Sequence, residues 1–309
     1  MSVSTQATFE TGHTDQIHDC QYDYYGRRVA TCSSDRTIKV FDVSGEQQTL
    51  VSTLTGHDGP VWACGWAHPK FGVLLASCGF DNRVILWREV DSQNQKMFTQ
   101  VYASPATLHE ASVNAVAWAP HEHGLQLACA SSDGSVSVLQ HAPDGTWTAT
   151  KIPNAHQIGC TGVSWSPGPA PGSLVSGGSN AAPVKRLVTS GCDNLAKIWR
   201  FDGATNAWRE ESVLRGHTDW VRDACWSVNM GLPMNTVATC GQDGLVLIWT
   251  QNEPGGEWNK TVLHDFKVPV WRVSWSVMGN VLAVSDANNL VTVWKESVDG
   301  KWDQISATQ

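Results

Sequence analysis

The sequence has no apolar run long enough to cross a membrane and nothing that resembles a secretory signal peptide. Residues 1–7 are polar and lack the basic and apolar regions that a signal peptide needs. The nine cysteines are an odd number and include no C-x-x-C pair, which argues against a disulfide framework and against structural zinc. We therefore expect a chain of a reducing compartment, the cytosol or the nucleus, with no direct insertion into a membrane.

Positive charge is also scarce. The chain has 21 Lys and Arg against 29 Asp and Glu, a formal net charge of −8, so no basic field is available to neutralise nucleic-acid phosphates. No phosphate-binding loop, dinucleotide fingerprint or nucleophile elbow is present, and the HEH run at 121–123 lacks the spacing of a helical zinc site. We expect no nucleic-acid partner, no enzyme activity, no metal and no cofactor.

Glycine and tryptophan are abundant, with 27 and 16 copies, and they belong to a repeated phrase. The phrase is a tight turn followed by a short apolar strand that ends in most copies on an aromatic residue. It reads SSDRTIKVF at 33–41, GFDNRVILW at 79–87, SSDGSVSVL at 131–139, GCDNLAKIW at 191–199, GQDGLVLIW at 241–249 and DANNLVTVW at 286–294. A histidine followed by an apolar strand precedes each copy, as in GHDGPVWACGW from residue 56 and GHTDWVRDACW from residue 216.

These phrases resemble the WD-repeat family and cover the whole chain in six copies. The resemblance implies an all-β protein, a six-bladed WD-repeat β-propeller in which each copy is a four-stranded antiparallel blade stacked on its neighbours. We expect a single propeller domain over residues 1–309. Its repeats should span approximately 11–50, 54–100, 106–152, 153–213, 214–262 and 263–308.

In this family a histidine, a strand Ser or Thr, the turn Asp and the strand Trp form a hydrogen-bonded network inside the blade. The resemblance assigns this structural network to His57, Ser77, Asp81 and Trp87, to His156, Thr189, Asp193 and Trp199, and to His217, Thr239, Asp243 and Trp249. Six His–Asp sets on successive repeats would otherwise mean six identical active sites, so a structural role is favoured. The first and third copies end in Phe41 and Leu139, which have no indole N–H, and the sixth has Asn288 in place of the turn Asp. We expect those blades to be held less tightly.

The number of strands points to an unclosed ring. The family usually closes its ring with an N-terminal strand that completes the last blade, but here DGKWDQISA at 299–307 already supplies that outer strand. An additional strand is nevertheless predicted over residues 1–10, because Val3, Thr5, Ala7 and Phe9 alternate with polar residues. An open, half-apolar edge favours a partner that donates the missing blade in trans, and these four residues are the predicted partner contacts.

A short, acidic, six-repeat chain of this kind resembles the small propeller shared by the outer coat of COPII vesicles and the Y-shaped complex of the nuclear pore. The resemblance rests on residues 11–43, 54–87 and 214–227. It implies a non-catalytic scaffold in a hetero-oligomer, which accepts an insertion blade from large α-solenoid subunits of either complex. The implied locations are the cytoplasmic surface of vesicles derived from the endoplasmic reticulum and the nuclear envelope at the pore. Some relatives also serve a nutrient-signalling complex on the vacuole or lysosome.

A different class remains open on the sequence alone. A closed WD-repeat ring could act as an adaptor that presents its top face to peptides, as the substrate receptors of ubiquitin ligases do. That alternative requires the N-terminal strand to be disordered or to displace residues 302–308.

Overall fold

A computed structural model of the chain describes residues 8–45, 47–92, 95–169, 184–228, 234–253, 255–297 and 299–308. These residues form six antiparallel sheets of four strands, and within each sheet the strands follow one another in chain order. The two 3-10 turns, Pro69–Phe71 and His121–His123, are the only helical segments of the described ranges, and no helix there is long and apolar enough to cross a membrane. The prediction of an all-β fold with six blades is confirmed.

The chain divides into two compact units, and the first of them, Thr8–Asn154, contains three sheets. The first sheet consists of β1 (Ile17–Tyr22), β2 (Arg28–Ser33), β3 (Thr37–Asp42) and β4 (Thr49–Thr55). The second consists of β5 (Val61–Trp66), β6 (Leu74–Gly79), β7 (Val84–Ser92) and β8 (Gln95–Ala103). The third consists of β9 (Val113–Trp118), β10 (Gln126–Ser131), β11 (Val136–His141) and β12 (Trp147–Ile152).

The second unit begins at Ala155 and contains the other three sheets. The fourth sheet consists of β13 (Cys160–Trp165), β14 (Arg186–Gly191), β15 (Leu195–Asp202) and β16 (Ala207–Arg215). The fifth consists of β17 (Val221–Trp226), β18 (Asn235–Gly241), β19 (Leu245–Gln251) and β20 (Asn259–Asp265). The sixth consists of β21 (Val270–Trp275), β22 (Val281–Asp286), β23 (Val291–Glu296) and β24 (Trp302–Thr308).

The hairpin between the second and third strands has the same geometry in every sheet. The residue before the third strand, or one position earlier, adopts the left-handed conformation, with φ between 61° and 81°. These residues are Arg36, Asn82, Gly134, Asn194, Gly244 and Asn289. Gly and Asn adopt this conformation at the lowest cost, so the repeated Asp-Gly and Asp-Asn pairs specify the turn.

Apolar residues from neighbouring sheets pack against one another within each unit. In the first unit, Ala30 and Ile38 of the first sheet share one core cluster with Leu75 and Trp87 of the second. The second and third sheets share another cluster, and in the second unit the fourth, fifth and sixth sheets pack in the same way. A blade therefore buries its apolar side chains only when a neighbouring sheet covers them.

Indole N–H groups add direct hydrogen bonds between sheets. In the second, third and sixth sheets the tryptophan that ends the first strand (the inner strand) donates to a carbonyl of the preceding sheet's inner strand. Trp66 donates to Gln21 at 3.0 Å, Trp118 to Gly65 at 2.8 Å and Trp275 to Cys225 at 3.0 Å. Two carboxylates reach in the opposite direction. Asp19 accepts the amide N–H of Cys64 at 3.1 Å, and Asp223 accepts that of Val273 at 3.2 Å. Neighbouring sheets are thus joined by oriented polar contacts as well as by apolar packing.

The last sheet contains its own outer strand. β24 pairs antiparallel with β23, so that Trp302 lies opposite Glu296 and Thr308 lies opposite Val291. The strand predicted over DGKWDQISA is therefore confirmed. The predicted N-terminal strand cannot be placed in the same way, because Val3, Thr5 and Ala7 lie outside the described residues, and residues 8–10 have no strand pairing.

Candidate functional site

The side chains assigned to the structural network come together in the second, fourth and fifth sheets. In the fifth sheet, His217 Nδ1 lies 3.0 Å from the Asp243 carboxylate, and His217 Nε2 lies 2.9 Å from Thr239 Oγ1. The indole N–H of Trp249 donates to the same hydroxyl at 2.9 Å. The four residues come from the loop before β17, from β18, from the β18–β19 turn and from β19. The network therefore joins two neighbouring strands, the turn between them and the loop that leads into the sheet.

The other two networks repeat this geometry within about 0.2 Å. In the second sheet the distances are 2.9 Å for His57–Asp81, 2.8 Å for His57–Ser77 and 2.9 Å for Trp87–Ser77. In the fourth sheet they are 2.8 Å for His156–Asp193, 2.8 Å for His156–Thr189 and 2.9 Å for Trp199–Thr189.

The chemistry of the groups fixes the direction of each hydrogen bond. A carboxylate only accepts, so the histidine carries its proton on Nδ1 and donates it to Asp. The histidine Nε2 is then an acceptor and receives the hydroxyl proton of Ser or Thr, whose oxygen accepts the indole N–H. Every member has a partner in a chain that runs from Trp through the hydroxyl and His to Asp, as a buried polar network requires.

The turn aspartates are held in the charged form. Burial would raise the pKa of Asp243, but hydrogen bonds from His217 and from the amide groups of Thr218 and Leu245 outweigh burial and lower it. The pKa values of Asp81 and Asp193 are lowered by the same balance of effects. Those of Asp35 and Asp133, the turn aspartates of the first and third sheets, are lowered further.

An Asp–His–hydroxyl chain also occurs in serine hydrolases, but here the hydroxyl is not available for attack. Ser77, Thr189 and Thr239 are fully buried, and each hydroxyl oxygen already accepts an indole N–H. A nucleophile needs both access to substrate and a free lone pair. The geometry therefore favours a structural role for these groups.

In the third and sixth sheets the hydroxyl group of the polar network comes from the third strand of the sheet, not from the second. In the third sheet, Cys129 replaces the hydroxyl residue of β10, and its cross-strand partner Ser137 lies 2.8 Å from His109 Nε2. In the sixth, Val284 occupies the place on β22, and its partner Thr292 accepts the indole N–H of Trp294 at 2.9 Å. The hydroxyl still reaches the same polar centre, because paired residues on neighbouring strands project from the same face.

The first and sixth sheets also depart from the full network in other ways. In the first, His13 contacts Asp35 at 2.7 Å and Thr31 at 2.9 Å without any indole donor. In the sixth, Asp286 rather than Asn288 caps the turn, accepting the amide N–H of Asn288 at 2.9 Å. The sequence indicated these substitutions but did not indicate which group would replace each missing partner.

The first sheet has an exposed face that its neighbours do not have. In the second sheet, Val61, Cys64 and Trp66, the first, fourth and sixth residues of β5, pack in the cluster shared with the first sheet. The corresponding residues of β1 are Ile17, Cys20 and Tyr22. Ile17 is 43% exposed, whereas Val61 and Val113, the first residues of β5 and β9, are fully buried. Tyr22 is 64% exposed. Cys20 is exposed as well. We call these three residues the open face of the first sheet.

Phe9 lies on the same side of the first sheet. Ile38 and Val40 of β3 face the second sheet, and successive side chains of a strand alternate between its faces, so Phe41, the residue after Val40, faces away from that sheet. The Phe9 ring packs edge-on against Phe41, with the ring centroids 5.1 Å apart. Of the four predicted partner contacts, Phe9 is therefore the one that the structure places, and it lies beside the open face. Ile17, Cys20 and Tyr22 were not predicted as contacts from the sequence, although they align with positions of the second sheet that pack against a neighbouring sheet.

The sixth sheet is also less covered on the face directed away from the fifth. In the fifth sheet, Ala238, Cys240 and Val246 are fully buried in the cluster shared with the sixth sheet. The corresponding residues of the sixth sheet are Ala283 and Ser285, which are half-buried, and Val291, which is exposed. The face of the sixth sheet that is directed away from the fifth (its outward face) thus has apolar side chains that are less buried than those of the fifth sheet, which the sixth sheet covers.

Comparisons with known proteins match both the repeats and the whole chain. The family described as WD domain, G-beta repeat matches residues 4–42, 48–88, 104–140 and 208–250. The protein transport protein SEC13 of Mycosarcoma maydis is 46% identical over 349 residues, covering 99% of this chain and 96% of that relative. The protein transport protein sec13 of Emericella nidulans is 47% identical, with 98% of both chains covered. The protein SEC13 homolog of Drosophila melanogaster is 47% identical over 98% of this chain and 84% of its own.

The contribution of one network can be measured with a hydroxyl deletion. Thr239→Val should lower the free energy of unfolding by about 2–3 kcal/mol, because it leaves the Trp249 indole N–H and His217 Nε2 buried without a partner. Thr236→Val makes the same chemical change on the same strand outside the network and should cost less than about 1 kcal/mol. Urea denaturation of both variants tests this, and equal losses would contradict the assigned role.

The position of the hydroxyl can be tested by moving it. Leu247 lies opposite Thr239 in the β18–β19 ladder, where the third and sixth sheets carry their hydroxyl. We expect Thr239→Val combined with Leu247→Thr to be more stable than the sum of the single changes predicts, by about 1 kcal/mol. Additive losses would show that the fifth sheet cannot use a hydroxyl from β19.

The lowered aspartate pKa values predict acid sensitivity. A carboxylate whose pKa is lower in the folded than in the unfolded state stabilises the fold above the unfolded value of about 3.9, and this contribution is lost as pH falls through the folded value. Unfolding free energy should therefore fall as pH is lowered from about 5 towards 2. Asp243→Asn should flatten this dependence, whereas Asp303→Asn on the exposed outer strand should not. Parallel pH profiles for Asp243→Asn and the wild type would contradict the account.

Proposed function

Because this chain belongs to the Sec13 family of WD-repeat proteins, we propose that it is a non-catalytic scaffold subunit of protein-transport coats that accepts a blade from a larger partner. The open face of the first sheet is the observation that carries this proposal. Ile17, Cys20 and Tyr22 occupy positions that are covered by a preceding sheet in the second and third sheets of the same unit. Within the described residues of its own unit, the first sheet therefore has no preceding sheet to cover these side chains.

The occupant of this face is a β-sheet segment of the partner. Within the unit, inner strands meet the preceding sheet through apolar packing and through indole N–H groups that donate to its inner-strand carbonyls. Tyr22 stands where Trp66 and Trp118 stand in the next two sheets, so its ring is placed to meet a partner strand in the same manner. A donated blade with apolar side chains would supply both kinds of contact.

Phe9 belongs to the same surface. Phe9 packs on Phe41 beside the open face, and β24 already fills the outer position of the sixth sheet. We infer that the ring of blades is open and that Val3, Thr5, Ala7 and Phe9 contact the donated blade. The donated blade is proposed to lie beside the first sheet, and the outward face of the sixth sheet is the alternative position.

Two assemblies are proposed for this scaffold. We propose that the partners are large α-solenoid subunits of the COPII outer coat and of the nuclear pore Y-complex. The protein would act on vesicles leaving the endoplasmic reticulum and at the nuclear envelope, with the vacuolar or lysosomal surface as a further site. The names of the relatives support protein transport. Rigidity is the proposed mechanism, since a stacked blade adds buried apolar area along its whole length.

Substitutions on the open face test the proposal. Ile17→Asp combined with Tyr22→Glu should reduce recovery of the large coat subunit about tenfold or more when the tagged chain is purified from its own cells, because a carboxylate would be buried against the donated blade. Tyr25→Glu is the matched control, since Tyr25 is an equally exposed tyrosine of the first unit that follows β1. Deletion of residues 1–10 should also reduce recovery. Unchanged recovery of the identified subunit with both variants would overturn the proposal.

A further inference from the structure

A second group of exposed aromatic side chains lies at one end of the fifth and sixth sheets. Trp220 precedes β17, Arg222 is the second residue of β17, and Trp271 is the second residue of β21. Trp220 is 41% exposed and Trp271 is 46% exposed. Gln242, in the turn between β18 and β19, completes the group. We call these four residues the Trp–Arg clamp.

The guanidinium of Arg222 lies against both indole rings. Its Cζ atom lies 5.1 Å from the centroid of the Trp220 ring and 5.0 Å from that of Trp271, both within the range of cation–π attraction. Nε donates to Gln242 Oε1 at 2.9 Å, and Nη2 donates to the same oxygen. The amide N–H of Gln242 donates to the Trp220 carbonyl at 2.8 Å. The cation is therefore fixed in one orientation before any ligand arrives.

This fixed cation has no carboxylate partner among the described residues. Arg28, Arg186 and Arg209 each form an ion pair with Asp or Glu, whereas the polar partner of Arg222 is a neutral amide. The nearby carboxylate of Asp219 instead accepts the amide N–H of Trp220 at 2.7 Å. Two of the five guanidinium N–H groups are used by Gln242, which leaves three donors, including the pair on the Nη1–Nη2 edge.

That edge has the geometry that a carboxylate recognises. A guanidinium fork binds the two oxygens of a carboxylate through parallel hydrogen bonds, and such bonds are stronger than those between neutral groups. Phosphate recognition in peptides relies on clusters of Arg, and this group has a single cation in a chain of net charge −8. A lone, oriented guanidinium therefore favours a carboxylate over a phosphate.

We propose that the Trp–Arg clamp binds an Asp or Glu side chain of an acidic peptide segment in a partner protein. The carboxylate is bound by the free edge of Arg222, and the exposed parts of Trp220 and Trp271 contact the apolar neighbours of the acidic residue. Exposed Trp and Arg in one cluster are the residue types that dominate binding energy at protein interfaces. This surface shares no residue with the open face of the first sheet, so the inference does not depend on the proposed function.

Binding can be measured with the full-length chain and a labelled probe. The probe is a short fluorescent peptide, blocked at both ends, that contains several Asp and Glu residues and one Leu. Its control has Asn and Gln at those positions. We expect fluorescence anisotropy to show binding of the acidic peptide alone. Arg222→Gln should weaken that binding about tenfold or more, and Trp220→Ala and Trp271→Ala should each weaken it about threefold or more.

Arg209→Gln is the matched control, because it removes one positive charge of the same unit from an exposed pair with Asp202. It should change affinity less than about twofold. Each variant is first checked for a thermal unfolding midpoint equal to that of the wild type. Arg222→Lys keeps the positive charge but removes the planar guanidinium, so it separates the two contributions to binding. No binding of the acidic peptide by the wild type would overturn the proposal, as would equal losses with Arg222→Gln and Arg209→Gln. Tighter binding of a phosphoserine peptide of equal charge would overturn the assignment to carboxylate.

Discussion

A four-stranded blade has two apolar faces, and the rest of this structure depends on covering both of them. Val61 and Val113 begin their inner strands and are fully buried, because the sheets of a unit stack on one another. Ile17 begins β1 in the same way and is 43% exposed. The same sequence pattern thus gives a buried or an exposed residue according to whether a neighbouring sheet is present. Without a covering sheet, a core position becomes part of an exposed surface.

The polar networks stabilise individual sheets, and the apolar faces stabilise the packing between sheets. A network that links Trp249, Thr239, His217 and Asp243 joins two strands, the turn between them and the loop before β17 within one sheet. The hydrogen bonds of the network therefore hold the strands of one sheet together, whereas apolar packing holds one sheet against the next. The displaced hydroxyls of Ser137 and Thr292 indicate that the polar centre tolerates a change of strand as long as the histidine or the indole keeps its partner.

The repeats, the turns and β24 could be predicted because each is encoded by neighbouring residues. An Asp followed by Gly or Asn specifies the hairpin locally, and Trp302 follows a turn as its equivalents do. The exposure of Ile17 and Tyr22 could not be predicted, since it depends on which sheets are stacked. The clamp around Arg222 was missed because its indoles come from two different sheets and are brought together only by the fold. The predicted strand at residues 1–10 stays a prediction.

The reactivity of Cys20 gives the most direct test of the central claim, because this thiol lies on the open face itself. Its rate of alkylation by N-ethylmaleimide can be measured by mass spectrometry in the isolated chain and in the complex purified from cells. We expect the partner to slow alkylation of Cys20 by about tenfold or more. Equal alkylation of Cys20 in the free chain and in the complex would contradict the claim that a donated blade covers the first sheet.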